Sequence, residues 1–311
     1  MLSEYQKGLV LKLRKAVENE NLVVVSHHPC ADGFTARWVV RKWILENFNE
    51  EKLDKVVVVD GVHQSEPKID MFEGKVVLML DFVYPLNVLK QLIEKVDDII
   101  VLDHHVSTKK EIEPLIDSGM IGGYFDLNHS GCKITWDLLF PITEPPSVLK
   151  VIESRDLWKF DVPNTKEISA CVFSYDYTFE NWDYLMDNKN LQEIISDGIV
   201  IERKYNKDIN EFNCKLKRYV YFGGSKIPIA NIPYTHASDL GNKMLKNEKG
   251  EYIEAFSITY FVDTNGDINI GLRSHDKGED VSVIAKKYGG GGHRNVSGFK
   301  IKKGGKLPWV E

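Results

Sequence analysis

The chain of 311 residues is long enough for two domains, and 43% hydrophobic with 28% charged residues is an ordinary globular composition. A formal net charge of -6 argues against sequence-blind binding of long nucleic acid, including long duplexes, while leaving room for a short anionic substrate held by metal ions or a few local cations. No apolar run approaches the ~20 residues of a membrane span, the first 20 residues lack the apolar core of a signal peptide, and four scattered cysteines form neither a disulfide framework nor a zinc ribbon, so a cytoplasmic protein without membrane partners is expected.

The first half alternates two kinds of segment. "NLVVVSHH", "KVVVVDG", "KVVLMLDF" and "DDIIVLDHH" are β-branched runs of strand length. "TARWVVRKWILENF" and "YPLNVLKQLIEKV" carry apolar residues at three- and four-residue spacing and predict helices. Near-continuous apolar strands interleaved with helices imply a parallel sheet covered on both faces.

Each of those strands stops at chemistry. The runs end at His27–His28, Asp60, Asp81 and Asp103–His104–His105. Parallel strands joined by crossover helices bring their C-terminal ends to one edge, where open α/β folds hold their ligands. One such acid could be a solvated turn residue or a helix cap. Four endings, two of them with paired histidines, are poorly explained that way. His27 and His28 differ in expectation, because neighbours on a strand point to opposite faces.

Further along, "YFDLNHSGCKITWDLLF" and "PPSVLKVIESRDLWKFDVP" predict helical cores, with Asp156 near the end of the second. Trp136, Trp158 and Trp182 read as core residues. A long charged stretch over 190–217 predicts a connecting helix. The last hundred residues predict a hairpin around Gly223–Gly224, a helix, a hairpin with an Asn265–Gly266 turn, a second helix, a glycine loop "GGGGH" and a final strand. The expected architecture is therefore α/β: an N-terminal, mainly parallel sheet with helices on both faces (1–189), the connecting helix (190–217), and a smaller C-terminal α/β domain (218–311) across a cleft.

Aspartates and neutral imidazoles together suit divalent ions such as Mn2+ or Fe2+. Two such ions sharing a carboxylate can cleave phosphate esters, and the rim supplies several acids and histidines. No GxxxxGK[ST] phosphate loop and no HExxH motif is present, and "GGGGH" does not meet the GxGxxG spacing. A nucleophilic Cys30–His28 pair would leave the other strand-end acids unexplained.

"DHH" at Asp103–His105, with "HHPCADGFTA", "LDFVYP", "ESRDLWKF", "LRS" and "GGGGHRNVSGF", resembles the DHH phosphoesterases over nearly the whole chain. The nearest resemblance is to a subgroup described as oligoribonuclease-like phosphohydrolases with a GGGH-type C-terminal domain. The resemblance implies a metal-dependent phosphodiesterase that cleaves short oligonucleotides or a small phosphorylated substrate with two Mn2+ ions, Mg2+ or Co2+ being alternatives; a homodimer is left open. It implies that His28 with Asp81 holds one metal, and that Asp32, His104 and Asp156 hold the other, with Asp81 bridging. Asp103 would support the motif and the attacking water, and His105 would assist the leaving oxygen. Arg273, Gly290, Gly291, Gly292, His293 and Arg294 would meet the distal phosphate. Two positions depart from the pattern. Cys30 replaces an acid that ligates the first metal, so the thiol either joins the ligands or leaves that site weaker. His129 stands where the subgroup has Arg, as a pH-dependent substrate contact or a surface histidine. The same resemblance admits a cyclic-dinucleotide phosphodiesterase, a nucleoside bisphosphate phosphatase, an exopolyphosphatase or a non-catalytic nucleotide-binding relative.

Overall fold

The computed structural model describes residues 1–62 and 67–310; His63 lies outside them. Two compact units result, Met1–Glu202 and Arg203–Glu311, with the division falling inside one long helix, Leu191–Lys215.

The first unit is built on five parallel strands: β1 (Leu22–His27), β2 (Val57–Gly61), β3 (Val76–Leu80), β4 (Asp98–Asp103) and β5 (Gly122–Phe125). Their order in the sheet is β2-β1-β3-β4-β5. The chain therefore leaves β1 in one direction to β2 and returns on its other side to β3. That reversal opens a crevice at the carboxyl ends of β1 and β3, where this class of sheet binds ligands.

The helices of this unit are α1 (Glu4–Glu18), α2 (Ala31–Asn47), α3 (Glu50–Leu53), α4 (Leu86–Ile93), α5 (Val106–Asp117), α6 (Gly131–Leu139), α7 (Ser147–Asp156), α8 (Thr165–Val172) and α9 (Phe179–Met186), with α10 (Leu191–Lys215) running out of it. They cover both faces, and strand parity decides which face each side chain serves. Leu22, Val24, Leu78, Leu80, Ile100 and Leu102 pack with α1, α2 and α6. Val23, Val25, Val77, Met79, Ile99 and Val101 pack on the opposite face with α4 and α5. Each such apolar side chain contributes on the order of 1.5–3 kcal/mol when fully buried.

Strand β5 departs from the helical reading of its neighbourhood. It is only four residues, Gly-Gly-Tyr-Phe, too short and too glycine-rich to announce itself, and it is held by pairing to β4. Helix α2 begins at Ala31, ahead of the predicted "TARW" start, which puts Asp32 into its first turn. Among the described residues no helix is long and apolar enough to cross a membrane.

The second unit is a seven-stranded mixed sheet with two short helices. Its strands are β6 (Arg218–Phe222), β7 (Ser225–Asn231), β8 (Phe256–Val262), β9 (Ile268–Ser274), β10 (Gly291–His293), β11 (Val296–Ile301) and β12 (Trp309–Val310); its helices are α11 (Ala237–Met244) and α12 (Val281–Lys287). The β6–β7 turn uses Gly223 and Gly224 at φ 57° and 88°, and the β8–β9 turn uses Gly266 at φ 82°, both backbone states that favour glycine.

Candidate metal centre

Three strand ends converge on one carboxylate. In register, Ser26 of β1 faces Leu80 of β3, which faces Leu102 of β4. One residue further along the chain in each case come His27, Asp81 and Asp103. Asp81 itself has φ 52°, a left-handed conformation that Asp tolerates better than most residues and that costs on the order of 1–2 kcal/mol.

The two oxygens of Asp81 face two different partners. Oδ2 lies 3.4 Å from Nδ1 of His27, and Oδ1 lies 3.3 Å from Nε2 of His104. That same His104 nitrogen is 3.5 Å from Oδ2 of Asp156, at the end of α7. His105 Nδ1 is 2.7 Å from Asp103 Oδ1 and 3.9 Å from Asp81 Oδ1. Among the described residues, ligand atoms within 4.8 Å of one another form three groups: His27–Cys30–Asp81, Asp32–His104–Asp156, and Asp81–Asp103–His104–His105.

Asp32 is held by the start of α6. Its Oδ1 accepts from the Ser130 hydroxyl at 2.7 Å and from the Cys132 amide at 3.0 Å; its Oδ2 accepts from the Gly131 amide at 2.7 Å. Gly131 is required there, because a Cβ would lie 2.6 Å from Cβ of Asp81 and 3.0 Å from Oδ2 of Asp32. Gly33 is required in α2, since its Cβ would lie 2.5 Å from the His27 carbonyl oxygen. Two glycines thus let two helix starts press against the strand ends. Ser130→Ala should weaken metal binding at the Asp32 group roughly 10- to 100-fold, the usual effect of losing a partner that orients a ligand. Chelator competition checks this, with Ser130→Thr, which keeps the hydroxyl, restoring affinity.

The electrostatics without a cation are unfavourable. Burial, then the Asp81 charge, pushes Asp32 up; burial, then Asp32 and Asp81, pushes Asp156 well up. Burial also opposes charge on Asp81, but contacts with His104 and His27 hold its carboxyl far below the usual range. His104 is raised to about 10: burial pulls it down, while Asp81, Asp156 and Asp32 outweigh that. The Cys30 thiol is pushed well up by burial and by Asp81, Asp156 and Asp32. Oδ1 of Asp81 and Oδ2 of Asp103 are buried without a well-formed hydrogen bond. Buried anions with acceptors to spare, beside imidazoles, fit divalent cations of the oxygen- and nitrogen-binding kind. Metal ligands must shed their protons. Since His104 keeps its proton at neutral pH, metal uptake should release protons, and apparent affinity should rise as pH climbs from 7 toward 10. Calorimetric titrations in two buffers of different ionisation enthalpy count the protons.

Cys30, Asp32, Asp81, Asp103, His104, His105 and Asp156 are thus brought together. His28 is not. Its Nδ1 is 3.7 Å from Asp60, which also accepts from the Arg37 guanidinium at 2.6 Å. His27 stands in the place expected of His28, with its Nδ1 beside Asp81 Oδ2 and grouped with Cys30 and Asp81. His129 also stands apart, with its Nδ1 2.6 Å from Glu153.

In the second unit the glycine run is not a loop. Gly291–His293 form β10, antiparallel to β11. A Cβ at Gly290 would lie 2.1 Å from the Gly298 carbonyl oxygen, and one at Gly292 2.5 Å from that of Val296, so close packing on β11 demands both; Gly291 has open space. Arg273 donates to the Ser238 hydroxyl, and Arg294 to the carbonyls of Asp276 and Gly278.

No family model matches the chain. An uncharacterized protein of Acanthamoeba polyphaga mimivirus is 31% identical over 288 residues, covering 89% of this chain and 66% of that protein. The DHH domain of a protein described as a member of a ribosomal protein family superimposes with a TM-score of 0.64 at 16% identity, over 97% of this chain and 89% of the other. The chain has the DHH fold. The exonuclease RecJ, in a crystal structure bound to manganese, shares this DHH fold with a TM-score of 0.53 at 13% identity, over 97% and 91% of the two chains. At these identities the likeness establishes architecture, and it agrees with the resemblance read from the sequence motifs.

Proposed function

We propose that this DHH-fold chain is a metal-dependent phosphoesterase that hydrolyses phosphodiester bonds of short oligonucleotides. The observation that carries the reading is Asp81, whose two oxygens face His27 on one side and His104 on the other, as a carboxylate shared by two cations would. His27, Cys30 and Asp81 would hold one ion, and Asp32, His104, Asp156 and Asp81 the other. Divalent ions held there would polarise phosphoryl oxygens and supply a water nucleophile at neutral pH. The protein's own groups do the rest. Asp103 fixes the His105 ring through Nδ1, which assigns the substrate-directed proton to Nε2. In the metal-free protein Asp103 overcomes the effect of burial and raises His105 to about 9, and its position beside Asp103 makes His105 the proposed proton donor to the leaving oxygen. The motif resemblance, and a fold shared with an exonuclease crystallised with manganese, support the same chemistry. Arg273, Arg294 and His293 are proposed to bind substrate from the second unit, and His129 to remain a structural partner of Glu153.

A substrate panel tests the reading: a dinucleotide, a longer oligomer, a cyclic dinucleotide, a nucleoside bisphosphate and polyphosphate, each with Mn2+, Mg2+ or Co2+, alongside elemental analysis. Turnover of the dinucleotide with two metals per chain is expected. Turnover of polyphosphate but not of the dinucleotide would overturn the substrate assignment. No turnover with one metal or none would favour a binding protein whose first site was lost with the replacement of an acid by Cys30.

A further inference from the structure

Trp158 occupies a position for which its side chain is poorly suited. Helix α7 ends at Asp156, Leu157 caps it, and the chain then turns through Trp158 at φ 57° and Phe160 at φ 54°. The residue just past a helix end in this left-handed state is ordinarily glycine, and a bulky aromatic there is an outlier. The Lys159 amide donates to the Ser154 carbonyl at 2.8 Å, so the turn is a regular helix stop built from the wrong residue. Core packing does not explain the choice. Trp136 and Trp182 are 2% and 0% exposed, whereas Trp158 is 39% exposed. Departures from local preference of this kind gather at ligand sites.

The ring is held rigidly. The Arg155 guanidinium lies 4.4 Å from its centroid, and Phe160 meets it edge-on at 5.0 Å. Phe173, itself exposed, completes the cluster on Arg155. The segment meets the metal centre at Asp156, which belongs to the Asp32–His104–Asp156 group, and Lys159 Nζ donates at 3.0 Å to the carbonyl of Asn128, two residues before Ser130. Trp158 is thus an exposed indole, backed by Arg155 and Phe160, two residues along the chain from the candidate ligand Asp156.

We propose that Trp158 stacks on the nucleobase of the substrate, so that the site selects nucleotides over base-less phosphates such as polyphosphate. This rests on the phosphoesterase reading for the adjoining site. Stacking on an aromatic side chain tolerates any base and is strong enough to change affinity about tenfold or more.

Titration calorimetry of the full manganese-loaded chain with AMP and with ribose 5-phosphate tests the proposal on wild type, Trp158→Ala, Trp158→Gly and Trp158→Phe. Wild type should prefer AMP by about tenfold or more. The Ala and Gly variants should lose that preference while binding ribose 5-phosphate as before, and Phe should keep most of it. Because Gly suits the left-handed turn, its melting temperature should not fall far, which separates lost stacking from lost fold. Equal binding of the two ligands by wild type overturns the proposal, as does an unchanged AMP preference in the Ala and Gly variants. If no substrate in the panel is hydrolysed but Trp158→Ala still removes a preference for AMP, the phosphoesterase reading falls and the base platform stands.

Discussion

Asp81→Ala and Asp81→Asn are each expected to reduce kcat/KM by ~10^3-fold or more, about 4 kcal/mol of transition-state stabilisation, and to lower metal content in both ligand groups. Asp81 is the one carboxylate whose two oxygens face separate imidazoles, at 3.4 and 3.3 Å, among the described residues. Removing it takes an anion from the His27–Cys30 side and the His104 side at once. Other acids of the cluster serve one group only; Asp32 and Asp156 share theirs with His104 alone. The Asn variant is the more informative of the two. It keeps the side-chain shape, and Asn tolerates the φ of 52° at this position, so its fold should survive with its charge gone. Elemental analysis and steady-state kinetics decide the matter. Two metals per chain, or wild-type turnover, in the Asn variant would refute the bridging role.

How much of this could be foreseen depends on the length scale of the signal. Strands β1 to β4 were legible because each is a run of β-branched and apolar residues, and such runs have few other uses. Their shared edge followed from parallel topology, which carried Asp81, Asp103 and His104 to one rim, whereas Asp156, at the end of a helix, was placed there only by the motif resemblance. Strand β5 was not legible. Gly122 and Gly123 are poor strand formers; pairing with β4 makes the strand, and close neighbours require the glycines, since a Cβ at Gly123 would lie 2.5 Å from Ile116 and one at Gly122 2.9 Å from Leu9. The glycine run at 290–292 reads as a loop in the sequence, and its pairing with β11 was hidden for the same reason. Glycines that admit an anion and glycines that admit another strand look alike in sequence, and only the closeness of β11 separates them.

The cradle of Asp32 was likewise beyond the sequence. Ser130, Gly131 and Cys132 lie about a hundred residues from it, and nothing in "NHSGCK" names their partner. Trp158 failed for a third reason. Tryptophan is usually core, but its burial depends on the backbone angle that presents it, and φ 57° turns this one outward. What local patterns conveyed was which residues end each strand. What they did not convey was which of two adjacent side chains faces the site, and that required the phase of the whole strand.

That phase makes the sharpest contrast available between neighbouring residues. His27→Ala should remove metal from the His27–Cys30–Asp81 group and lower kcat/KM by ~10^2-fold or more, about 3 kcal/mol. His28→Ala should leave metal content unchanged and activity within a few-fold. At the end of β1, one residue before His28, His27 lies 3.4 Å from Asp81, with its ring stacked toward Phe82 at 6.4 Å between centroids. His28 instead faces Asp60, whose Oδ1 the Arg37 guanidinium holds at 2.6 Å; Arg37 is anchored in turn by Ser26 at 2.9 Å. Its half-exposed imidazole therefore sits beside the Arg37–Asp60 ion pair at the end of β2, a contact worth little to stability. Neither variant should unfold the protein, since neither side chain is part of the apolar clusters, so metal content measured on folded material reports the site itself. Loss of metal in His28→Ala with retention in His27→Ala would reverse the assignment. It would mean that β1 ends one residue out of phase with the strand that carries it.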